Sequence, residues 1–262
     1  LLGLSSLKLV IKKGNLYENS PLAKMFLLKG SPRTLVNLIK WQHHINYKAM
    51  FHFTEALVAN DNVGLKEFSG TEKTLYERLV HTPHLEKIFQ DAMKDISDQS
   101  NSAFAKSVNL NGVKHLIDVG GGNGTNIVNL AKTHPNTKFS VFDSPSVCME
   151  AKRNFANFPE LSGRLGTFAG NCFENEFPSE ADCILFCHFF TIWSESENLT
   201  LLKKCFNSLK SGGRAMIFNM MQFDSEDGPL TAAMGSPYFL TLATGKGMLY
   251  TRNEYMKWFR EA

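Results

Sequence analysis

Residues 116–125 read LIDVGGGNGT, an apolar run interrupted by one acid, Asp118, and followed by Gly120, Gly121, Gly122 and Gly124. An apolar run bounded by glycines reads as a buried strand ending in a turn where bare backbone approaches a ligand closely. A dinucleotide fingerprint, G-x-G-x-x-G, needs a third small residue where the following helix packs on the strand. Gly120 and Gly122 fit that pattern, but position 125 is Thr. The pattern that fits throughout is D-x-G-x-G-x-G, carried by Asp118, Gly120, Gly122 and Gly124. An acid at a strand's carboxyl end receives a cationic amine and repels a pyrophosphate, which favours a zwitterionic amino-acid cofactor over a diphosphate.

Outward from this turn, short apolar runs alternate with helical segments. HLIDV, KFSVFD, RLGTFAG, ADCILF and RAMIFNMM read as strands, with helices expected from about Asn123, from about Ser146, and from Glu195 to Lys210. This βαβ rhythm predicts a parallel sheet wrapped by helices. Gly228-Pro229 opens a further helix through Leu242, and Thr251 caps a last one. The second strand ends at Asp143, 23 residues after Gly120, where an acid can accept both hydroxyls of a ribose. Adenosine plus an ammonium points to S-adenosyl-L-methionine. Before residue 111 the texture is helical from Ser20 onward, with Thr82 as N-cap, Pro83 at the first helical position, and Leu85, Ile88, Phe89, Met93 and Ile96 on one face. The first residues predict a strand pair, 7–12 and 16–18, turned by Gly14-Asn15.

Composition bounds the function. With 262 residues and 43% apolar content the chain can bury a full core. Twenty-eight Lys and Arg against 25 Asp and Glu give +3 without a basic block, so nothing asks for nucleic acid. The longest strongly apolar stretch, CILFCHFFTIW, is too short and too polar to span a bilayer, and the chain reads as cytoplasmic. Five cysteines lack C-x-x-C spacing, which favours reduced thiols and no metal.

Several further stretches resemble the class I S-adenosylmethionine-dependent small-molecule methyltransferases of the caffeic acid and hydroxyindole O-methyltransferase type, in their bacterial natural-product branch. LKLVIKKGNLYENSPLAKMFLLKGSP (7–32) is similar to the wing of their N-terminal winged-helix domain, and FQDAM (89–93) to the helix before the cofactor domain. FDSPSV (142–147) resembles F-D-L-P-x-V, AGNCF (169–173) resembles A-G-D-x-F, and SGGR (211–214) and GKGMLYTRNEYMKWFREA (245–262) also have counterparts. The resemblance implies an α/β fold: a Rossmann-like methyltransferase domain over 111–262, lacking its last strands, preceded over 1–110 by a mostly helical winged-helix domain, truncated at its start, for dimerisation and substrate capping. It implies that Asp118, Gly120, Gly122, Gly124, Asp143, Ser144, Asn171, Cys172, Phe173, Cys187 and Trp193 bind the cofactor, and that Met234 and Phe239 line the acceptor pocket. It also implies a homodimer. Two departures stand out: Asn171 replaces an aspartate, and Cys187 replaces a frequent lysine.

The largest departure is at the base. Plant members write L-H-D-W-S-D, whose histidine takes the proton of a phenol between two glutamates. FFTIWSES (189–196) puts Thr191 at that histidine, and the glutamate positions fall to Asn219 and Leu249. A neutral phenol of pKa about 10 is a weak nucleophile, and a base contributes roughly two to four orders of magnitude. His188, Thr191 and Asn219 are the remaining catalytic candidates; His43 and His44 fit a helix surface. The leading reading is O-methylation of a small aromatic natural product. The alternatives are C- or N-methylation of an electron-rich aromatic or an amino or keto acid, a winged-helix binding protein without activity, and a nicotinamide dehydrogenase, against which Thr125 argues.

Overall fold

The structure, a computed structural model, describes the backbone of residues 1–262 and all side chains except those of residues 101 and 102. A short helix, α1 (Leu2–Ser6), leads into an antiparallel ribbon, β1 (Val10–Lys13) and β2 (Leu16–Asn19), turned at Gly14. The first strand begins later than its hydrophobicity suggests. Leu7 caps α1, and Lys8 takes a left-handed φ of 56° that breaks any earlier extension. Helix α2 (Pro21–Phe26) starts under the Ser20 hydroxyl, which accepts the Ala23 N–H at 3.1 Å. Then follow α3 (Val36–Trp41), a π-turn at Gln42–Asn46, α4 (Tyr47–Ala49), α5 (Phe53–Ala59), α6 (Leu75–Leu79) and the long α7 (Pro83–Ser107). Pro83 holds the first position of α7 as expected, but the Thr82 side chain makes no capping bond.

Helix α7 takes part in two cores. Its first half lays Ile88 and Ala92 against Trp41, Ile45, Leu75 and Leu79, while Phe104 near its end joins Leu110, Val113 and Leu116 under the sheet. One helix therefore ties the helical half to the α/β half.

The sheet contains β3 (His115–Val119), β4 (Lys138–Asp143), β5 (Leu165–Ala169), β6 (Cys183–Cys187) and β7 (Arg214–Phe218), all parallel, in the order β5-β4-β3-β6-β7. Burial on both faces explains why these runs are apolar rather than alternating. Leu116 faces a core with Ile127, Val128 and Leu130 of α8 (Thr125–Thr133), joined by Ala151 of α9 (Pro145–Phe155). Ile117 and Val119 face the opposite core with Leu201 and Leu202 of α10 (Glu195–Ser208). Helix α11 (Leu230–Tyr238) follows β7, and α12 (Arg252–Glu261) brings Trp258 into that second core. Both α10 and α12 open on complete capping boxes, Ser194–Glu197 and Thr251–Glu254.

Other boundaries also differ from the sequence reading, among them the end of α10 at Ser208 rather than Lys210. Helix α8 starts at Thr125, because Gly124 occupies the left-handed N-cap and Asn123 Oδ1 accepts the Thr125 N–H. Strand β7 stops at Phe218, so Asn219 and the two methionines after it lie beyond the sheet. The helix expected through Leu242 widens after Tyr238 into a second π-turn, Phe239–Ala243, two residues after Pro237, which has no N–H for the helical ladder. No helix among the described residues is long and apolar enough to cross a membrane.

Gly124 tests this packing. A Cβ there would run into the Phe155 ring of α9, whereas one at Gly112, also left-handed, meets nothing within 4 Å. Gly112→Ala should cost about 1–2 kcal/mol of backbone strain, and Gly124→Ala about 1–3 kcal/mol more for overpacking. Equal costs in urea denaturation would contradict the packing described.

Candidate active site

The strand order reverses between β3 and β6, since the chain runs outward through β4 and β5 on one side and through β7 on the other. Ligands of such sheets sit at the carboxyl ends of the strands beside that reversal. Asp118 and Gly120 lie on one side of it, Cys187, His188 and Phe189 on the other.

Asp118 is 0% exposed, and neither carboxylate oxygen has a hydrogen-bond partner. It lies beneath the turn, where a Cβ on Gly121 would stand 3.0 Å from its Oδ2. Burial first, and then the neighbouring Asp143 charge, push its pKa up to about 8; Asn126 eases the shift without reaching normal hydrogen-bond geometry. Cys187, at the position of the family's lysine, is a buried neighbour whose thiol is itself pushed up by burial and by Asp118. With a thiol there instead of a cation, the charged form of Asp118 has nothing opposite it. An ammonium would supply what is missing.

Asp143 sits at the carboxyl end of β4. Its Oδ2 accepts the Gly122 N–H at 3.1 Å and its Oδ1 the Ser144 N–H at 2.7 Å, so the acid braces the turn while each oxygen keeps a second lone pair. Burial raises its pKa, and these two bonds oppose the rise. Gly122, at φ 57°, has open space where a Cβ would stand. Gly120 differs: the Phe189 ring fills the place of its Cβ, so this glycine makes room for a side chain of the protein itself. Phe189 was not among the sequence candidates, and only its place two residues past the end of β6 hints at the contact.

Asn171, Cys172 and Phe173 follow β5. Asn171 Oδ1 accepts the Phe173 N–H at 3.0 Å, closing a tight turn, and burial pushes the Cys172 thiol up to about 12. Phe173 meets Trp193 edge-on with ring centroids 4.8 Å apart, and Phe189 stands 6.0 Å from the same indole. These rings form a wall suited to a flat heterocycle. An orphaned buried acid, an open glycine and a paired acid at the next strand end together fit S-adenosylmethionine. Asp118 would face its ammonium and Asp143 its ribose.

The acceptor candidates lie further along the same edge. His188 has a left-handed φ of 54°, donates its N–H to the Phe218 carbonyl at 2.8 Å, and rests its ring on Phe218 at 5.5 Å. Its Nε2 is 3.3 Å from Ser100 Oγ on α7, and burial lowers its pKa. Thr191 is buried in the turn Phe190–Ile192, which the 244–247 loop clasps: Thr244 Oγ1 donates to the Ile192 carbonyl, and Gly247 packs on the Thr191 carbonyl. Lys246 pairs with Glu197 at 2.7 Å. Asn219 Nδ2 donates to Tyr255 Oη at 3.0 Å. Phe239 packs on Tyr238, and Met234 is 74% exposed on α11. Leu249 is buried and lines a cleft of about 400 Å³ with Gln222, Leu230 and Ser236.

Fold and site together define a class I S-adenosylmethionine-dependent methyltransferase. The family model for the O-methyltransferase domain matches residues 52–262, and the chain belongs to that family. It is 31% identical over 255 residues to an L-tyrosine C(3)-methyltransferase of Streptomyces lavendulae, covering 97% of this chain and 69% of that protein. It is 28% identical to a 3-hydroxy-5-methyl-1-naphthoate 3-O-methyltransferase of Streptomyces sahachiroi, covering 98% and 72%. Among solved structures, the apo form of the S-adenosylmethionine-dependent methyltransferase SibL superposes with a TM-score of 0.81 at 33% identity, over 99% of this chain and 76% of that one. Human N-acetylserotonin methyltransferase with bound S-adenosylmethionine shares the fold, with a TM-score of 0.89 at 23% identity over 100% and 75%.

The pKa of Asp118 sets a pH dependence. Between its ordinary 3.8 and the folded value of about 8, the native state holds a proton that the unfolded chain has lost. Stability of the unliganded protein should therefore fall as pH rises through this window, by at most about 1.4 kcal/mol per unit. Asp118→Asn should flatten that slope in denaturant titrations and weaken S-adenosylhomocysteine binding. Calorimetry at pH 7 in two buffers should show a proton released as the nucleoside's ammonium restores the charge; uptake or no exchange would refute the assignment.

Proposed function

We propose that this enzyme methylates a small aromatic acceptor bearing a hydroxyl group, with oxygen as the default acceptor atom. The observation that carries the reading is His188. Its imidazole is neutral at pH 7 because burial lowers its pKa, and it stands at the end of β6 on a strained backbone of the kind that clusters at functional sites. Ser100 Oγ can donate to the Ile96 or Ser97 carbonyl, at 3.2 and 3.1 Å. Its lone pair then receives Nε2–H, which leaves Nδ1 as the basic nitrogen.

When bound, S-adenosylmethionine would supply an electrophilic sulfonium methyl and leave as the neutral thioether S-adenosylhomocysteine. His188 takes the hydroxyl proton. The aromatic wall excludes water, and the Thr244 hydroxyl, donating to the Ile192 carbonyl, holds the turn that carries Thr191. Positioning supplies the rest of the acceleration.

A second reading, methylation of the ring carbon beside the hydroxyl, is favoured by the tyrosine C(3)-methyltransferase relative and by Asn219 and Leu249 at the family's glutamate positions. Both readings use the same ionised hydroxyl, and in the second the ring carbon's own proton leaves afterwards. We further propose that residues 1–110 form a winged-helix capping region of a cytoplasmic homodimer, a reading supported by the ribbon β1–β2 placed directly after α1.

The decisive experiment offers a panel of hydroxyarenes, tyrosine and hydroxynaphthoates included, with methyl-labelled S-adenosylmethionine and reads the product by mass and NMR. A label on oxygen supports the first reading and a ring methyl the second. His188→Asn should lower turnover by roughly two to four orders of magnitude with cofactor affinity kept. The wild-type rate should fall on an acid limb below the ordinary histidine value. An unchanged rate in the variant would remove His188 from the mechanism.

A further inference from the structure

Asn219 stands one residue past the end of β7. Cys187 pairs with Phe218 across the two strands and the His188 N–H reaches the Phe218 carbonyl, so Asn219 and His188 occupy neighbouring positions on the same sheet edge. The Asn219 amide meets Tyr255 Oη through Nδ2 at 3.0 Å. This orientation leaves Asn219 Oδ1 buried without a partner, and among the described residues nothing accepts the Tyr255 proton. A half-turn of the amide exchanges two nearly isosteric ends. Tyr255, whose hydroxyl is kept protonated by burial, then donates to Oδ1, and Nδ2 takes the buried, unpartnered place that Oδ1 held. A phenol is a stronger donor than acceptor, so this second arrangement is the better one.

We propose that Asn219, oriented by Tyr255, presents an N–H to the acceptor's oxygen and that the acceptor is held as its oxyanion. The inference rests on the hydroxyarene reading above and deepens it. An amide donor selects the ionised form of the acceptor, and a charge-assisted bond is about twice as strong as a neutral one. The proton that leaves goes to His188 or, for an acceptor already ionised in solution, to bulk water. Asn219 thereby becomes a specificity residue and Tyr255 a positioning residue.

4-Nitrophenol, whose visible absorbance reports its ionisation, tests this with the S-adenosylhomocysteine complex of the full chain. The wild type should bind the phenolate at least about tenfold more tightly than the phenol, seen as a fall of about one unit in the bound ligand's pKa. Asn219→Asp should reverse the preference. Tyr255→Phe should shrink it while nucleoside affinity stays unchanged, an effect that lost stability alone would not produce. Binding without preference for the ion would overturn this inference alone. No binding of 4-nitrophenol by a complex that still holds the nucleoside would overturn the hydroxyarene reading and this inference together.

Discussion

A carboxylic acid with no protein partner, sealed beneath a glycine turn, is the constraint around which the rest is arranged. Asp118 is placed there by β3, the middle strand of five, and its neighbours on both sides are strands whose own ends carry the rest of the site. An uncompensated buried carboxylate costs several kcal/mol, and the chain avoids that cost by holding the proton. The pH-dependence of stability and the proposed pairing of Asp118 with a cationic nucleoside thus both come from one desolvation.

Much of this was legible in the residues. The five strands, the switch from helical to βαβ texture after residue 111 and the acid at the end of β4 follow from hydrophobic period and turn chemistry. The glycine spacing distinguished an amino-acid nucleoside from a dinucleotide. Less visible were features that depend on contacts distant in sequence. Nothing local in LIDVGGGNGT says that Gly120 accommodates a ring from residue 189 while Gly122 is left open. The π-turns at Gln42–Asn46 and Phe239–Ala243 leave no mark in the sequence because their apolar spacing differs little from that of an α-helix. Asn219 was legible as a departure from the family, but its partner Tyr255, 36 positions away, was not.

The acceptor side also shows how the two halves of the chain cooperate. Helix α7 contributes Phe104 to the core beneath the sheet and Ser100 to the imidazole above it. The packing that anchors this helix therefore also places the hydroxyl that meets the proposed base. The 244–247 loop, backed by Lys246 and Glu197, fixes the neighbouring turn by backbone contacts that leave no space for a side chain at position 247. Rigid support of this kind matters most where chemistry relies on placement rather than on a strong base.

His188 is a β-carbon-bearing residue in a conformation that glycine adopts freely, and the Phe218 carbonyl holds it there. Its hydrogen-bonded amide would survive replacement by glycine, and the steric penalty of the left-handed backbone would vanish. Selection for thermal endurance alone would thus tend to erase the ring, and a heat-hardened descendant that had lost its imidazole at this position would be a sturdier protein without the base proposed for it.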